Sequence, residues 1–277
     1  SQLNFNNEIG VGLTILGAEL KDKTLILEMG MRGVEQIENL SKFSEPDIAV
    51  ITNIGSSHIG ILGSKEKITY AKCEITKYLN PKGVVIIPAN DLFLEETLKK
   101  NWHGRIIKVE LLDINQKDHV INKKNLLGFF NRSNNSILIE KKLFKISFRG
   151  FHNAFNFLFV YAVAKEFGIQ FKDKNKFNFV SLTGRNKILK SKKTTIYDET
   201  YNASPESVKA CIENLLDNPN NHFLIFGSMQ ELGTKSKKYH KDLFDFINKS
   251  DIKKCIFICT KNDQIYYADY LKKSNKF

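Results

Sequence analysis

An α/β fold with a mostly parallel sheet, followed by a second and smaller α/β unit, is predicted by three observations. Short apolar runs alternate with helix-period segments at both ends of the chain, as strand–helix–strand crossovers require. Between residues 105 and 148 that alternation gives way to short runs separated by Asn-, Lys- and Ser-rich turns, which predicts antiparallel hairpins attached to the parallel core. A polar stretch over 172–176 and a loop at Thr183-Gly184-Arg185 then mark a boundary, giving expected domains at 1–182 and 183–277. A chain of 277 residues is long enough for two cores.

The elements follow in order. Thr24 to Met29 reads as a strand ending in the acid Glu28, and Pro46 to Thr52 as the next strand. Ser64 to Leu79 is a helix: Ser64 can cap it, Glu66 lies in its first turn, and Pro81-Lys82-Gly83 stops it. Val84 to Pro88 is another strand. Ile106–Val109, Ser136–Ile139 and Phe144–Phe148 supply the hairpin strands, and Asn153 to Phe167 a nearly all-apolar helix ended by Gly168. In the second unit Thr194 to Tyr197 is a strand running into Asp198-Glu199. Ser204-Pro205-Glu206 opens a helix, with serine at the cap, proline at the first position and the acid at the positive end. Val208, Cys211, Ile212 and Leu215 give it one apolar face. His222–Phe226 and Cys255–Cys259 read as strands, and 237–248 and 264–272 as helices.

Composition narrows the function. The net charge is +12, but only five of the 42 basic residues are arginine, the residue that forks onto bases and phosphates. The excess is lysine scattered among asparagines, a solvated face that argues against nucleic-acid binding. No apolar run reaches the ~18 residues of a membrane span, and no secretory signal pattern opens the chain. Four cysteines without metal spacing or a disulfide framework make a reducing cytoplasm the expectation.

The stretch from Thr52 to Ile75 holds the most chemistry. A buried-type strand runs into the turn Asn53-Ile54-Gly55-Ser56-Ser57-His58, and the following helix carries Lys72. Ligands of α/β sheets bind outside the carboxyl ends of strands, so His58 and the strand-end Glu28 can face one crevice. Carboxylate oxygen there suits Mg²⁺. Each residue also has a plainer reading: a solvated strand-end acid, a structural loop histidine, a lysine reaching to solvent. Asn156, the one strongly polar residue between Ala154 and Ala164, needs partners if buried, either another helix or a base or sugar. Arg185 can clamp phosphate, and Asp198 and Glu199 can accept ribose hydroxyls. No GxxxxGK[ST] phosphate loop is present, and Gly63-Ser64-Lys65 does not match one.

Several stretches occur together and in order: Asn4-Phe5-Asn6-Asn7-Glu8-Ile9-Gly10, Glu28-Met29-Gly30-Met31-Arg32-Gly33, Thr52-Asn53-Ile54-Gly55 with His58, Ala71-Lys72-Cys73-Glu74-Ile75, Gly150-Phe151-His152-Asn153 with Asn156, Gly184-Arg185, Tyr201-Asn202-Ala203-Ser204-Pro205 and Gly227-Ser228-Met229-Gln230-Glu231-Leu232-Gly233. On these the chain resembles the Mur ligase family over nearly its whole length. The resemblance implies a central ATPase domain with a mostly parallel sheet and a smaller Rossmann-like C-terminal domain. It implies an ATP-dependent amide ligase of peptidoglycan synthesis, in the branch that joins D-alanyl-D-alanine to UDP-N-acetylmuramoyl-tripeptide through an acyl phosphate.

By the same resemblance Glu28, His58 and a carbamylated Lys72 hold Mg²⁺, and Asn156 contacts adenine. Arg185 reaches phosphate, and Asp198 or Glu199 the ribose. Asn6 and Asn7 lie near the UDP-sugar peptide, and Tyr201, Asn202 and Ser204 near the incoming amine. A cytoplasmic monomer is expected, with no nucleic-acid or membrane partner. Glu199 departs from the aspartate common at the ribose position, and Gly12 from a usual proline. The family's phosphate loop and uridine-binding domain lie upstream of these motifs, so an internal fragment, inactive alone, is the expectation. A different amide ligase of the superfamily and a non-catalytic binding module are the alternatives.

Overall fold

The structure is a computed structural model that describes residues 5–115, 122–171, 184–185 and 187–277. The expected domain boundary near 182 and the polar stretch over 172–176 lie outside the described residues.

Among the described residues six strands form the main sheet in sequence order: β1 (Ile48–Val50), β2 (Val84–Pro88), β3 (Arg105–Asp113), β4 (Leu126–Asn131), β5 (Ser136–Ile139) and β6 (Lys142–Lys145). The first four run parallel, and the last two join by antiparallel pairings, β5 to β4 and β6 to β5. The run at Ile106–Val109 therefore belongs to the parallel sheet, paired with β2, and not to the hairpins. An apolar period of two is the same in both kinds of ladder. Direction is set by the connection, here α5 (Leu92–Asn101) crossing from β2 to β3.

Strand β2 shows why this sheet lies at the centre of its unit. All five residues are buried, because the sheet is covered on both faces. Val85 and Ile87 pack with Ala49, Leu94, Leu98 and Trp102, which includes α5. Ile86 packs on the opposite side with Val109, Phe130, Ala154 and Leu158, against α6 (Phe151–Glu166).

The expected strand at Thr24–Met29 has no ladder among the described residues. Gly30 instead donates its N–H to the Asn6 carbonyl at 2.8 Å, and Leu25 and Ile26 stay exposed. An apolar run supplies a tendency to extend; a strand also needs a neighbour. The expected strand before Asp198 exists as β8 (Thr195–Asp198) but pairs antiparallel with β7 (Lys187–Lys190), apart from both other sheets.

The C-terminal unit pairs β9 (Phe223–Gly227) parallel with β10 (Lys254–Ile258). Helices α7 (Pro205–Leu216), α8 (Ser236–Lys249) and α9 (Lys261–Leu271) accompany them. Its core continues into the first unit. Ile212, Phe226, Met229, Leu232 and Phe244 share one apolar cluster with Ile59, Leu62, Ile68 and Ala71, residues of α3 (Ile59–Leu62) and α4 (Lys65–Cys73). The turn after β1 is thus the seam between the units. Among the described residues no helix is long and apolar enough to cross a membrane.

Candidate active site

The seam is built from the turn that follows β1. Ser56 is fully buried, and its hydroxyl donates to Glu206 Oε2 at 2.7 Å, from the first turn of α7. Lys65 lies 3.5 Å from the other Glu206 oxygen. Burial pushes the Glu206 carboxyl up, but the Ser56 hydrogen bond, its own backbone N–H and Lys65 hold it below the ordinary value. His58 takes a left-handed backbone, φ 64°, and its Nδ1 contacts Glu231 Oε2. Gly60 donates its N–H to the Glu231 carbonyl at 2.8 Å. Here glycine is needed at both sides: a Cβ on Gly60 would stand 2.4 Å from the Gly233 nitrogen, and one on Gly233 2.6 Å from the Gly60 Cα.

Lys72 sits near the end of α4, a helix capped by Ser64, whose Oγ accepts from the Lys67 N–H. Its Nζ donates to the Asn53 carbonyl at 2.8 Å, back at the turn. Burial lowers its pKa, toward the neutral amine. Glu28 is exposed and accepts a hydrogen bond from Asn6 Nδ2 at 3.0 Å. Glu28, His58 and Lys72 therefore have three different protein partners and do not contact one another through these bonds. No group of three His, Cys, Asp or Glu converges among the described residues. The donor types nevertheless suit a hard cation: a carboxylate, an imidazole whose Nε2 is left by the Nδ1 contact, and a partly desolvated amine that carbamylation would turn into an oxygen donor.

Five of the residues expected near nucleotide and amine do converge. Arg185, Glu199, Tyr201, Asn202 and Ser204 line one cleft of about 240 Å³ together with Gly184, Ser207 and Ser57. The last belongs to the turn that carries His58, so both units wall the cleft. The Arg185 guanidinium lies 4.1 Å over the Tyr201 ring. The Tyr201 N–H donates to the Gly184 carbonyl at 3.1 Å. Ser204 caps α7 reciprocally with Ser207, which fixes the cleft floor. Of the two acids, Glu199 lines the cleft. Asp198 accepts from the Thr200 hydroxyl and N–H, and these bonds hold its pKa low.

Three other expected residues lie elsewhere. Asn156 is exposed on α6, so it is not a buried amide seeking partners. The helix buries Ala154, Leu158, Tyr161 and Ala162 along one face and leaves Asn156 with Val160 on the other. Asn7 caps α1 (Glu8–Leu16), accepting from Gly10 N–H at 2.9 Å. Asn6 holds Glu28. Residue-by-residue reading assigned no role to Ser56, Ser57, Glu206 or Glu231. Glu206 shows in sequence only as a helix-start acid, and Glu231 only as one residue of the Gly227–Gly233 stretch.

Residues 1–164 match the Mur ligase middle domain, and residues 184–273 the Mur ligase glutamate ligase domain. The chain belongs to the Mur ligase family. Within it, the chain is 31% identical over 244 residues to the UDP-N-acetylmuramoyl-tripeptide–D-alanyl-D-alanine ligase of Synechocystis, covering 87% of this chain and 51% of that protein. It is 34% identical over 248 residues to the ligase of the same name from Bacillus subtilis, covering 86% and 52%. The chain thus spans about half the length of these relatives. Crystal structures of MurF are similar in fold. One from Acinetobacter baumannii has a TM-score of 0.77 at 22% identity, covering 97% of this chain and 62% of that one. One from Thermotoga maritima in complex with ADP has a TM-score of 0.74 at 24% identity, covering 99% and 66%.

Proposed function

We propose that the protein carrying this chain ligates D-alanyl-D-alanine to UDP-N-acetylmuramoyl-tripeptide at the expense of ATP, acting as a cytoplasmic monomer. The observation that carries this reading is the two-walled cleft of Ser57, Arg185, Glu199, Tyr201, Asn202 and Ser204 in a chain whose curated relatives bear that activity in their names. In this reading residues 1–182 bind ATP and residues 183–277 complete the site.

The tripeptide carboxylate attacks the γ-phosphorus of ATP and ADP leaves, forming an acyl phosphate. The dipeptide amine then attacks the carbonyl carbon, loses a proton, and phosphate leaves. Each step brings anions together, so the residues' work is positioning and charge neutralisation. Arg185, held over the Tyr201 ring, binds a phosphate with its guanidinium. Glu199, with Asp198 beside it, accepts ribose hydroxyls, and Asn156 contacts adenine. Asn6 and Asn7 lie along the sugar peptide. Tyr201, Asn202 and Ser204 orient the amine. Glu28, His58 and a carbamylated Lys72 would hold Mg²⁺, which when bound screens the phosphates from the attacking carboxylate. Lys72 supplies the carbamate because burial favours its neutral amine.

The test is phosphate release by the whole protein that carries this chain, with UDP-N-acetylmuramoyl-tripeptide and ATP. Release should depend on D-alanyl-D-alanine, and Lys72→Ala should lower kcat by about 100-fold or more. Equal turnover with a free amino acid such as glutamate in place of the dipeptide would sink the assignment.

A further inference from the structure

The His58 end of the turn is held from the other unit by Glu231. Glu231 follows Gly227-Ser228-Met229-Gln230 after β9. Its Oε2 contacts His58 Nδ1, its Oε1 lies 3.4 Å from Arg32 Nη2, and its carbonyl accepts the Gly60 N–H at 2.8 Å. All three partners belong to the first unit. Both carboxylate oxygens are therefore committed across the seam.

The backbone shows that this grip is specified. His58 and Glu231 both adopt left-handed conformations, φ 64° and 60°, which non-glycine residues hold only when their surroundings over-determine them. The surroundings do so here. Met229 and Leu232, each 3% exposed, anchor the Glu231 loop in the shared core. The Gly60–Gly233 approach admits no side chain on either strand of the contact. His58 itself is half-buried, as is Glu231, so the pair is neither a solvent-screened surface bridge nor fully enclosed.

A carboxylate against Nδ1 makes that nitrogen the N–H donor and leaves Nε2 as the ring's lone pair. We propose that Glu231 is a positioning residue for His58. It fixes the Nδ1–H tautomer and aims Nε2 away from the seam, and it does so only while the C-terminal unit is seated on the turn. Arg32 holds the second oxygen and so sets the tilt of the carboxylate against the ring. The consequence for a cation rests on the reading of His58 as one of its donors: the C-terminal unit then governs the metal site without supplying a ligand to it. The tautomer does not rest on that reading.

The experiment compares the whole protein with its Glu231→Ala and Glu231→Gln variants, labelled at histidine nitrogen, at a pH above the ordinary histidine range. The wild-type His58 signal, assigned by its loss in His58→Ala, should show protonated Nδ1 and bare Nε2. Glu231→Ala should lose that bias. Glu231→Gln, whose amide oxygen still accepts from Nδ1–H, should keep it. Mn²⁺ binding, followed by paramagnetic resonance without substrates, should weaken about tenfold in Glu231→Ala and recover most of its strength in Glu231→Gln. If the alanine variant does not fold, Glu231→Asp, which withdraws the carboxylate by one methylene, should show the same losses. An unchanged tautomer in Glu231→Ala or Glu231→Asp overturns the proposal, and so does a loss of Mn²⁺ affinity with the tautomer intact, which would make Glu231 a ligand. Mn²⁺ affinity indifferent to His58→Ala would instead refute the metal reading and leave the tautomer result to judge Glu231.

Discussion

The two units meet in two different ways. At the turn after β1 the meeting is closed: glycine lies against glycine, and Ser56 and His58 each contact a glutamate from the other unit. At residues 184–185 and 199–207 it is open: polar side chains surround about 240 Å³ of space between Ser57 and α7. The closed part sets the distance between the units, and the open part uses that distance. A ligand site spanning two units needs both, because side chains can converge on a substrate only if their scaffolds are held in register.

Breaking the closed part should cost most. Gly60→Val forces apart two backbones that leave no room even for a Cβ. A loss of about 3 kcal/mol is expected in urea denaturation, together with a larger radius of gyration in solution scattering. Full stability in this variant would mean that the units are not held together there. Arg185→Ala tests the open part. Removing a phosphate fork should weaken ADP binding about 30-fold by calorimetry while changing stability by under about 1 kcal/mol. The reverse pattern would make Arg185 a structural residue.

Glu206→Gln tests the charged edge of the seam and should have the smallest effect. The Glu206 side chain is 46% exposed, so screening limits its contribution to under about 1 kcal/mol. The pH dependence carries the sign. The folded pKa is depressed below 4.5, so the unfolded chain binds the proton first as pH falls. The advantage of Glu206 over Gln should be complete above the unfolded carboxylate range and vanish as pH drops through the folded pKa. Denaturation midpoints of the two proteins should therefore converge in acid; a gap that widens there would contradict the bond from Ser56.

Much of the local structure was legible in the residues. Ser64 and Ser204 cap the helices they were expected to cap, and β2 occupies Val84–Pro88 as its apolar run predicts. These features depend on neighbours a few residues away. The departures all depend on distant ones. Thr24–Met29 is apolar but lacks a neighbouring strand among the described residues. In β9 and β10 the structure covers one face only, leaving Phe223, Ile225, Ile256 and Ile258 exposed. Asn156 has its helix as expected, but the packing of α6 turns it outward.

The candidate site divides along the same line. The residue types that could bind phosphate, ribose and a cation stand in the sequence, because chemistry belongs to side chains. Their order matches a family, because the motifs are short and contiguous. Tertiary structure decided which of them face each other: that Arg185, Glu199 and Tyr201 share a cleft with Ser57, and that Ser56 and His58 meet partners 150 and 173 residues away. No local pattern encodes such a contact. It exists because burying Met229 and Leu232 against Ile59 and Leu62 brings two distant turns together, and the carboxylates then take the donors that burial leaves within reach.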